Sequence, residues 1–160
     1  MESLKLNSNS PEQTQLLGNY LGELAQKADV FLLVGELGTG KTCLVQGIAR
    51  GLDVKEYAFS PSFVILREYH GRLPLYHIDL YRLSGGNDVE EMGLEEYVYG
   101  KGVTAIEWAE KAAPLIPSKR FWIDIRWINP TRRRLTIKAS GKRNEQVLET
   151  FRAEFEEFFS

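Results

Sequence analysis

The 160-residue chain has one cysteine, two histidines and no long apolar run, and each shortage excludes a class of protein. Cys43 alone cannot form an internal disulfide, and one thiol with the distant His70 and His77 does not make a zinc site. No apolar run comes near the roughly 18 residues that span a bilayer, and the opening residues lack the pattern of a secretory signal. We therefore expect a cytoplasmic protein that does not enter the membrane.

An excess of charge of either sign is also absent. The formal net charge is −2 at pH 7, which argues against a strong general affinity for nucleic acid, because that affinity depends mainly on Lys and Arg neutralising phosphates. A hydrophobic share of 43% and a charged share of 26% are typical of a globular protein. The length suits one domain over residues 1–160.

A complete phosphate-binding loop is the most informative motif in the chain. Residues 35–42 read Gly-Glu-Leu-Gly-Thr-Gly-Lys-Thr, which matches G-x-x-x-x-G-K-[ST] at every fixed position. An apolar run at 30–34 precedes the loop, and residues 43–49 can continue as a helix. Strand, glycine-rich loop and helix is the order that lets backbone N–H groups and a helix N-terminus surround a polyanion.

The loop predicts a bound nucleoside triphosphate. Lys41 supplies a positive charge for the β- and γ-phosphates, and the Thr42 hydroxyl can bind Mg²⁺. Cys43 is expected on the following helix, packed beneath the phosphates. The loop residues expected to contact the nucleotide are Gly35, Gly38, Thr39, Gly40, Lys41, Thr42 and Cys43.

Hydrophobic periodicity predicts strands alternating with helices. Ser10, Pro11 and Gln13 form a helix start, and apolar residues at helical spacing continue from there toward Asp29. Ser-Pro-Ser-Phe at 60–63 indicates an extended segment near the nucleotide. The other predicted elements are a hairpin of 63–69 with 75–80, an acidic helix at 89–97, a buried strand at 103–106, a hairpin of 121–127 with 134–139, and a helix from Asn144.

Two acidic residues stand at predicted strand ends, where a ligand can reach them. Glu107 follows the strand at 103–106, so its side chain should emerge at the carboxyl edge of the sheet, beside the loop. Asp79 lies in a run too polar for an ordinary buried strand, and a metal, a water or an arginine is its expected partner. For both residues a salt bridge or a helix cap is the structural alternative.

Three further features leave their roles open. His77 is interpreted as a hydrogen-bonded structural histidine in preference to a base. Trp108 can pack near the phosphates or complete the core. The cluster of arginines at 132–134 lies in a predicted turn, where one guanidinium can stack on a base or contact phosphate, with a solvated face as the alternative.

Together these motifs resemble the TsaE family, also called YjeE, of small bacterial P-loop ATPases for tRNA threonylcarbamoyladenosine biosynthesis. The resemblance covers nearly the whole chain. Thr39 stands where alanine is common in the family, and Ser62 stands where threonine is common, and both keep a small residue. The motifs that carry it lie in order at 35–42, 60–63, 76–83, 91–94 and 106–110.

The resemblance implies a three-layer α/β P-loop fold with a mixed sheet, ATP and Mg²⁺ as cofactors, and weak ATPase activity that depends on partners. The implied partners are the TsaB and TsaD proteins, which install the threonylcarbamoyl group on adenosine 37 of tRNAs reading ANN codons. Thr42 and Glu107 are the implied Mg²⁺ ligands, and Lys41 is the phosphate clamp. Asp79 is implied as an acid near the metal, and Ser10 and Arg133 as nucleotide contacts.

The leading hypothesis is an ATPase whose nucleotide cycle resets a tRNA-modifying complex. The alternative is a P-loop small-molecule kinase, although residues 85–102 hold five acids and no arginine where such a kinase usually has an arginine-rich lid. A GTPase is disfavoured because the chain has no N-K-x-D sequence to read guanine. A non-enzymatic adaptor is disfavoured because Lys41 and Thr42 are both intact.

Overall fold

The computed structural model describes residues 2–36, 38–56, 66–83 and 87–159. Across these residues seven strands form one sheet. The strands are β1 (Glu2–Ser8), β2 (Val30–Val34), β3 (Leu66–His70), β4 (Pro74–Asp79), β5 (Val103–Glu107), β6 (Arg120–Trp127) and β7 (Arg133–Ser140). The helices are α1 (Pro11–Leu24), α2 (Lys41–Gly51), α3 (Asn87–Glu91), α4 (Leu94–Val98), a 3₁₀ helix (Ala109–Leu115) and α5 (Lys142–Phe155).

The sheet is mixed, as predicted. Its strand order is β1-β7-β6-β2-β5-β4-β3. The central strands β6, β2, β5 and β4 run parallel, whereas β1 with β7, β6 with β7, and β3 with β4 are antiparallel pairs. Strand β2 lies in the middle of the sheet. All five of its residues are apolar and buried, which suits a strand covered on both faces.

The sheet separates two apolar cores, which gives the predicted three layers. One core joins α1, α2 and α5 to residues such as Phe31, Leu33 and Ala105. The other joins α4 and the 3₁₀ helix to Leu32, Ile78 and other residues of the opposite face. Because neighbouring strand residues point to opposite faces, each central strand contributes to both cores.

Helices α1 and α2 touch through four glycines, which we call the glycine seam. A Cβ on any of them would lie between 2.0 and 2.3 Å from a carbonyl oxygen of the other helix. The contacts advance in the same direction along both helices, so α1 and α2 are parallel and their N-termini lie together. The seam consists of Gly18, Gly22, Gly47 and Gly51.

Several predicted elements differ from the structure. Arg133 and Arg134, predicted to lie in a turn, belong to strand β7 because their backbones pair with β6 and β1. Strand β1 was absent from the sequence prediction. Helix α1 ends at Leu24, before the predicted end near Asp29. The single acidic helix predicted at 89–97 is two short helices, because Gly93 adopts a left-handed φ of 72° between them. The extended segment predicted at 60–63 lies outside the described residues.

The predicted hairpin of β6 with β7 is confirmed, with Trp127 opposite Arg133 at its tip. The predicted hairpin of β3 with β4 is also confirmed over the residues that the structure describes. Among those residues, no helix is long and apolar enough to cross a membrane.

Candidate functional site

The phosphate-binding loop joins the buried end of β2 to the first turn of α2. Gly38 has φ +80° and Gly40 has φ +111°, a backbone conformation that side chains rarely adopt, and no atom lies within 4 Å of a Cβ built on Gly38. Gly35 is constrained by packing as well, since a Cβ there would lie 2.5 Å from the Ile125 carbonyl oxygen. The glycines therefore keep an open cradle whose walls are backbone.

Lys41 is the first residue of α2 and is only 4% exposed. Its ammonium donates hydrogen bonds to the carbonyl oxygens of Gly35 at 2.5 Å and Glu36 at 2.8 Å. Burial lowers the pKa of Lys41, and the negative charges of Glu107 and two other acids oppose that change. The loop thus holds a desolvated cation at its centre. An anion is attracted to this cation more strongly than it would be in water.

Thr42 and Glu107 meet at the junction of loop, helix and sheet. The Thr42 hydroxyl lies 3.1 Å from each carboxylate oxygen of Glu107. Glu107 is the last residue of β5 and pairs in register with Leu33 of β2, so the sheet brings it to the end of the loop-bearing strand. A hydroxyl and a carboxylate together are oxygen ligands of the kind that Mg²⁺ prefers.

The described residues contain no cluster of three or more His, Cys, Asp or Glu side chains that could hold a metal. In nucleotide sites Mg²⁺ is usually bound through one or two carboxylates together with the phosphates. The open glycine cradle, the Lys41 cation and the pair of oxygen ligands fit a nucleotide with its magnesium ion.

Asp79 ends β4 and stands opposite Glu107 in the parallel register. Its Oδ1 accepts a hydrogen bond of 3.0 Å from the backbone N–H of Tyr81. The Asp79 charge also acts on Lys41. The two acids named from the sequence therefore lie side by side at one sheet edge.

The parallel packing of α1 and α2 brings Cys43 to the N-terminus of α1, which Ser10 caps. Ser10 caps α1 by accepting a 3.1 Å hydrogen bond from the Gln13 backbone N–H, as the sequence predicted. The Cys43 thiol lies 3.2 Å from the Pro11 carbonyl oxygen. The N-terminus of α1 is thus held against the first turn of α2.

Arg133 joins the β6–β7 hairpin to the loop. Its Nε donates to the Thr39 carbonyl oxygen at 3.0 Å, and its Nη1 donates to the Asn129 carbonyl oxygen at 2.7 Å. The guanidinium also lies 6.0 Å from the centre of the Trp127 ring. Among the described contacts of the three clustered arginines, the bond to the loop is made by Arg133.

Trp108 lies over the loop lysine and so does more than complete the core. The Lys41 ammonium is 4.5 Å from the centre of the indole ring, a cation–π distance. Trp108 has a left-handed φ of 58°, which is uncommon outside glycine and turns the chain sharply after Glu107. The ring also packs against Tyr81, with 5.1 Å between centroids.

A cleft of about 870 Å³ opens beside the loop between Trp108 and Trp127. Glu110 lines this cleft, and burial raises its pKa although the charge of Lys41 acts in the opposite direction. Glu110 was not among the site residues predicted from the sequence. The signal available was its place three residues after Glu107, in the short segment that follows β5.

The fold and this geometry define a protein of the P-loop class, with a loop suited to nucleotide phosphates. The family model described as "Threonylcarbamoyl adenosine biosynthesis protein TsaE" matches residues 8–135. The chain therefore belongs to the TsaE family.

Individual relatives agree with this assignment. A protein of Bacillus subtilis named "tRNA threonylcarbamoyladenosine biosynthesis protein TsaE" is 38% identical over 150 residues, covering 93% of this chain and 94% of its own length. A protein of the same name from Treponema pallidum is 42% identical over 130 residues, covering 81% and 96%. The crystal structure of Bacillus subtilis YdiB matches with a TM-score of 0.82 at 35% identity and 95% coverage of both chains.

Proposed function

We propose that this chain is the Mg²⁺-dependent ATPase of bacterial tRNA threonylcarbamoyladenosine biosynthesis, acting in the cytoplasm with the TsaB and TsaD proteins. ATP hydrolysis resets the partner complex, and the chain reaches tRNA through that complex. The observation that carries the proposal is the contact of Thr42 with Glu107 beside the buried Lys41 cation. Membership of the TsaE family supports the pathway.

Each part of the site has a proposed role. The phosphates are surrounded by backbone groups of the loop and the N-terminus of α2, at Gly35, Gly38, Thr39, Gly40 and Cys43. Ser10 and Arg133 are further nucleotide contacts. Lys41 binds the terminal phosphates, because a desolvated ammonium attracts an anion strongly. Thr42 and Glu107 hold the metal, which supplies positive charge to offset the charge developing on the transferred phosphoryl group.

Asp79 is proposed to orient the attacking water. Asp79 pairs with Glu107 in the strand register, and its negative charge raises the pKa of Lys41. A water molecule bound to Asp79 would therefore lie near the phosphate end of the site. Positioning and charge stabilisation are the main contributions that a protein makes to phosphoryl transfer. Weak turnover by the chain alone is expected to rise when the partners complete the site.

The first test is an ATPase assay with and without the TsaB–TsaD pair. We expect phosphate release to increase when the pair is added, and turnover that the pair leaves unchanged would contradict the reset role. Lys41→Ala should abolish binding of a fluorescent ATP analogue, because it removes the buried cation of the loop. The exposed Lys142→Ala is the matched control and should bind as the parent does.

Glu107→Gln tests the metal role. The change removes a charge from the metal side and leaves the phosphate cradle intact, so nucleotide affinity should stay within about tenfold while turnover slows. Glu96→Gln removes an exposed carboxylate of α4 and serves as its control. Equal turnover in the parent and in Glu107→Gln would reject the role.

The cleft beside the loop favours one alternative, a small-molecule kinase. Its volume of about 870 Å³ is large enough for a phosphoryl acceptor next to Glu110 and Trp108. Product analysis separates the two functions, since an ATPase releases inorganic phosphate and a kinase yields a phosphorylated metabolite. A phosphorylated metabolite in place of free phosphate would reject the proposed ATPase.

A further inference from the structure

His77 is a fully buried histidine with no role so far in the proposed ATPase site. Its side chain is 0% exposed, and its Nε2 lies 2.5 Å from Oε2 of Glu107. The same carboxylate contacts the Thr42 hydroxyl. His77, Glu107 and Thr42 therefore form a continuous chain of polar contacts from β4 through β5 to α2.

The parallel register of β4 and β5 creates this contact. Asp79 stands opposite Glu107, and His77 stands opposite Ala105, so all four side chains belong to the same face of the sheet. His77 must lean along the strand direction to reach Glu107. The methyl side chain of Ala105 leaves the room that the imidazole occupies, whereas a larger residue would compete for it.

The imidazole acts as a hydrogen-bond donor. An ionised carboxylate only accepts hydrogen bonds, so Nε2 of His77 is the donor in its contact with ionised Glu107. Nδ1 is buried and has no hydrogen-bond partner among the described residues. His77 is thus oriented by packing and by Glu107, and its polar contribution is directed to that one carboxylate.

The carboxylate needs such restraint because Lys41 competes for it. The charge of Glu107 is the strongest of the acidic influences on the pKa of Lys41. A carboxylate that swung onto the ammonium would neutralise the loop cation and leave Thr42 without its partner. The hydrogen bond from His77 opposes that movement, because β4 lies on the other side of β5 from the loop-bearing β2.

We propose that His77 is the positioning residue of the metal side of this site, and that it holds Oε2 of Glu107 so that the carboxylate stays beside Thr42. The inference rests on the proposed Mg²⁺-dependent nucleotide binding. It assigns to His77 a role in metal affinity, distinct from any contact with the nucleotide.

The test compares two amide substitutions at the same buried position. In His77→Gln the side-chain N–H can reach the place of Nε2, whereas in His77→Asn the shorter side chain places it near Nδ1, away from Glu107. Both variants bury one amide, so they share the cost of the substitution. Thr104→Val is the matched control, because Thr104 is a buried, hydrogen-bonded residue of β5 outside the site.

Three quantities are measured on each full-length variant: the melting temperature, the affinity for a fluorescent ADP analogue in EDTA, and the Mg²⁺ concentration that gives half of the metal-dependent gain in that affinity. We expect His77→Asn to raise the half-saturating Mg²⁺ concentration about 10–100-fold. His77→Gln should recover most of that loss. Affinity in EDTA should stay within about threefold in every variant, because the loop cradle is unchanged.

Two results would overturn the inference alone. One is an unchanged Mg²⁺ requirement in His77→Asn, and the other is an equal loss in the Gln and Asn variants, which would indicate a packing role. A parent protein whose nucleotide affinity does not respond to Mg²⁺ is a different result. It would reject the proposed function and the inference built on it together.

Discussion

The glycine seam between α1 and α2 can be tested with the substitution Gly47→Ala. Gly47 lies at the closest point of the seam, where a Cβ would be 2.0 Å from the Gln15 carbonyl oxygen and 2.9 Å from the Gly18 Cα. Both obstacles are backbone atoms of α1, so no side-chain rotation removes the clash. The helices must move apart instead.

The size of the effect follows from these distances. Ordinary van der Waals contact begins near 3.4 Å, so the local separation must grow by about 1.4 Å, the difference between 3.4 and 2.0 Å. Overpacking usually costs about 1–3 kcal/mol, and we take the upper end, about 3 kcal/mol, because the obstacles are backbone atoms and the displaced helix also loosens the contacts of Gly18 and Gly51. Alanine returns about 1 kcal/mol through its better helix propensity. We expect a net loss near 2 kcal/mol, which corresponds to a melting temperature lower by about 4–8 °C.

Urea unfolding followed by circular dichroism measures this loss as a lower midpoint with an unchanged slope. Lys142→Ala, at an exposed position of α5, is the control and should stay within about 0.5 kcal/mol of the parent. If Gly47→Ala were as stable as the parent, or more stable, the close approach of the helices would not be required by the fold.

Two further predictions concern the edges of the site. Arg133→Ala should weaken nucleotide binding about tenfold, because it removes the charge-assisted hydrogen bond that fixes the Thr39 carbonyl. Binding is measured with the same fluorescent analogue, and an equal effect of the neighbouring Arg134→Ala would contradict this prediction. Burial raises the pKa of the Cys43 thiol, so at pH 8 iodoacetamide should label the folded chain more slowly than the urea-unfolded chain. The difference should shrink as the pH rises through the raised pKa, and equal rates at pH 8 in mass spectrometry would refute it.

The centre of the fold could be predicted from the sequence because its signals are local. The apolar run of β2, the glycines of the loop and the capping residues of α1 each act over a few residues, and the structure has all three where the sequence indicated them. Strand β1 was missed although Leu4 and Leu6 are buried at alternate positions, a period-two pattern too short to be distinctive. Its pairing with the distant β7 is what makes it a strand.

The site was predictable only in part, for a similar reason. Glu107 could be placed at the sheet edge because strand direction alone brings it there. The role of His77 depends on the register between β4 and β5, and the approach of Arg133 to the loop depends on how the β6–β7 hairpin packs. The spacing of residues along the chain indicates neither of these two contacts.

The parallel packing of α1 and α2 has an electrostatic consequence. Each helix N-terminus carries the equivalent of about half a positive charge, and two aligned dipoles that end at one place repel each other. An anion bound near Ser10 and Lys41 relieves this repulsion at both helices. A phosphate group should therefore tighten the packing of the two helices as well as fill the loop, and the proposed nucleotide would then help to hold this end of the protein together.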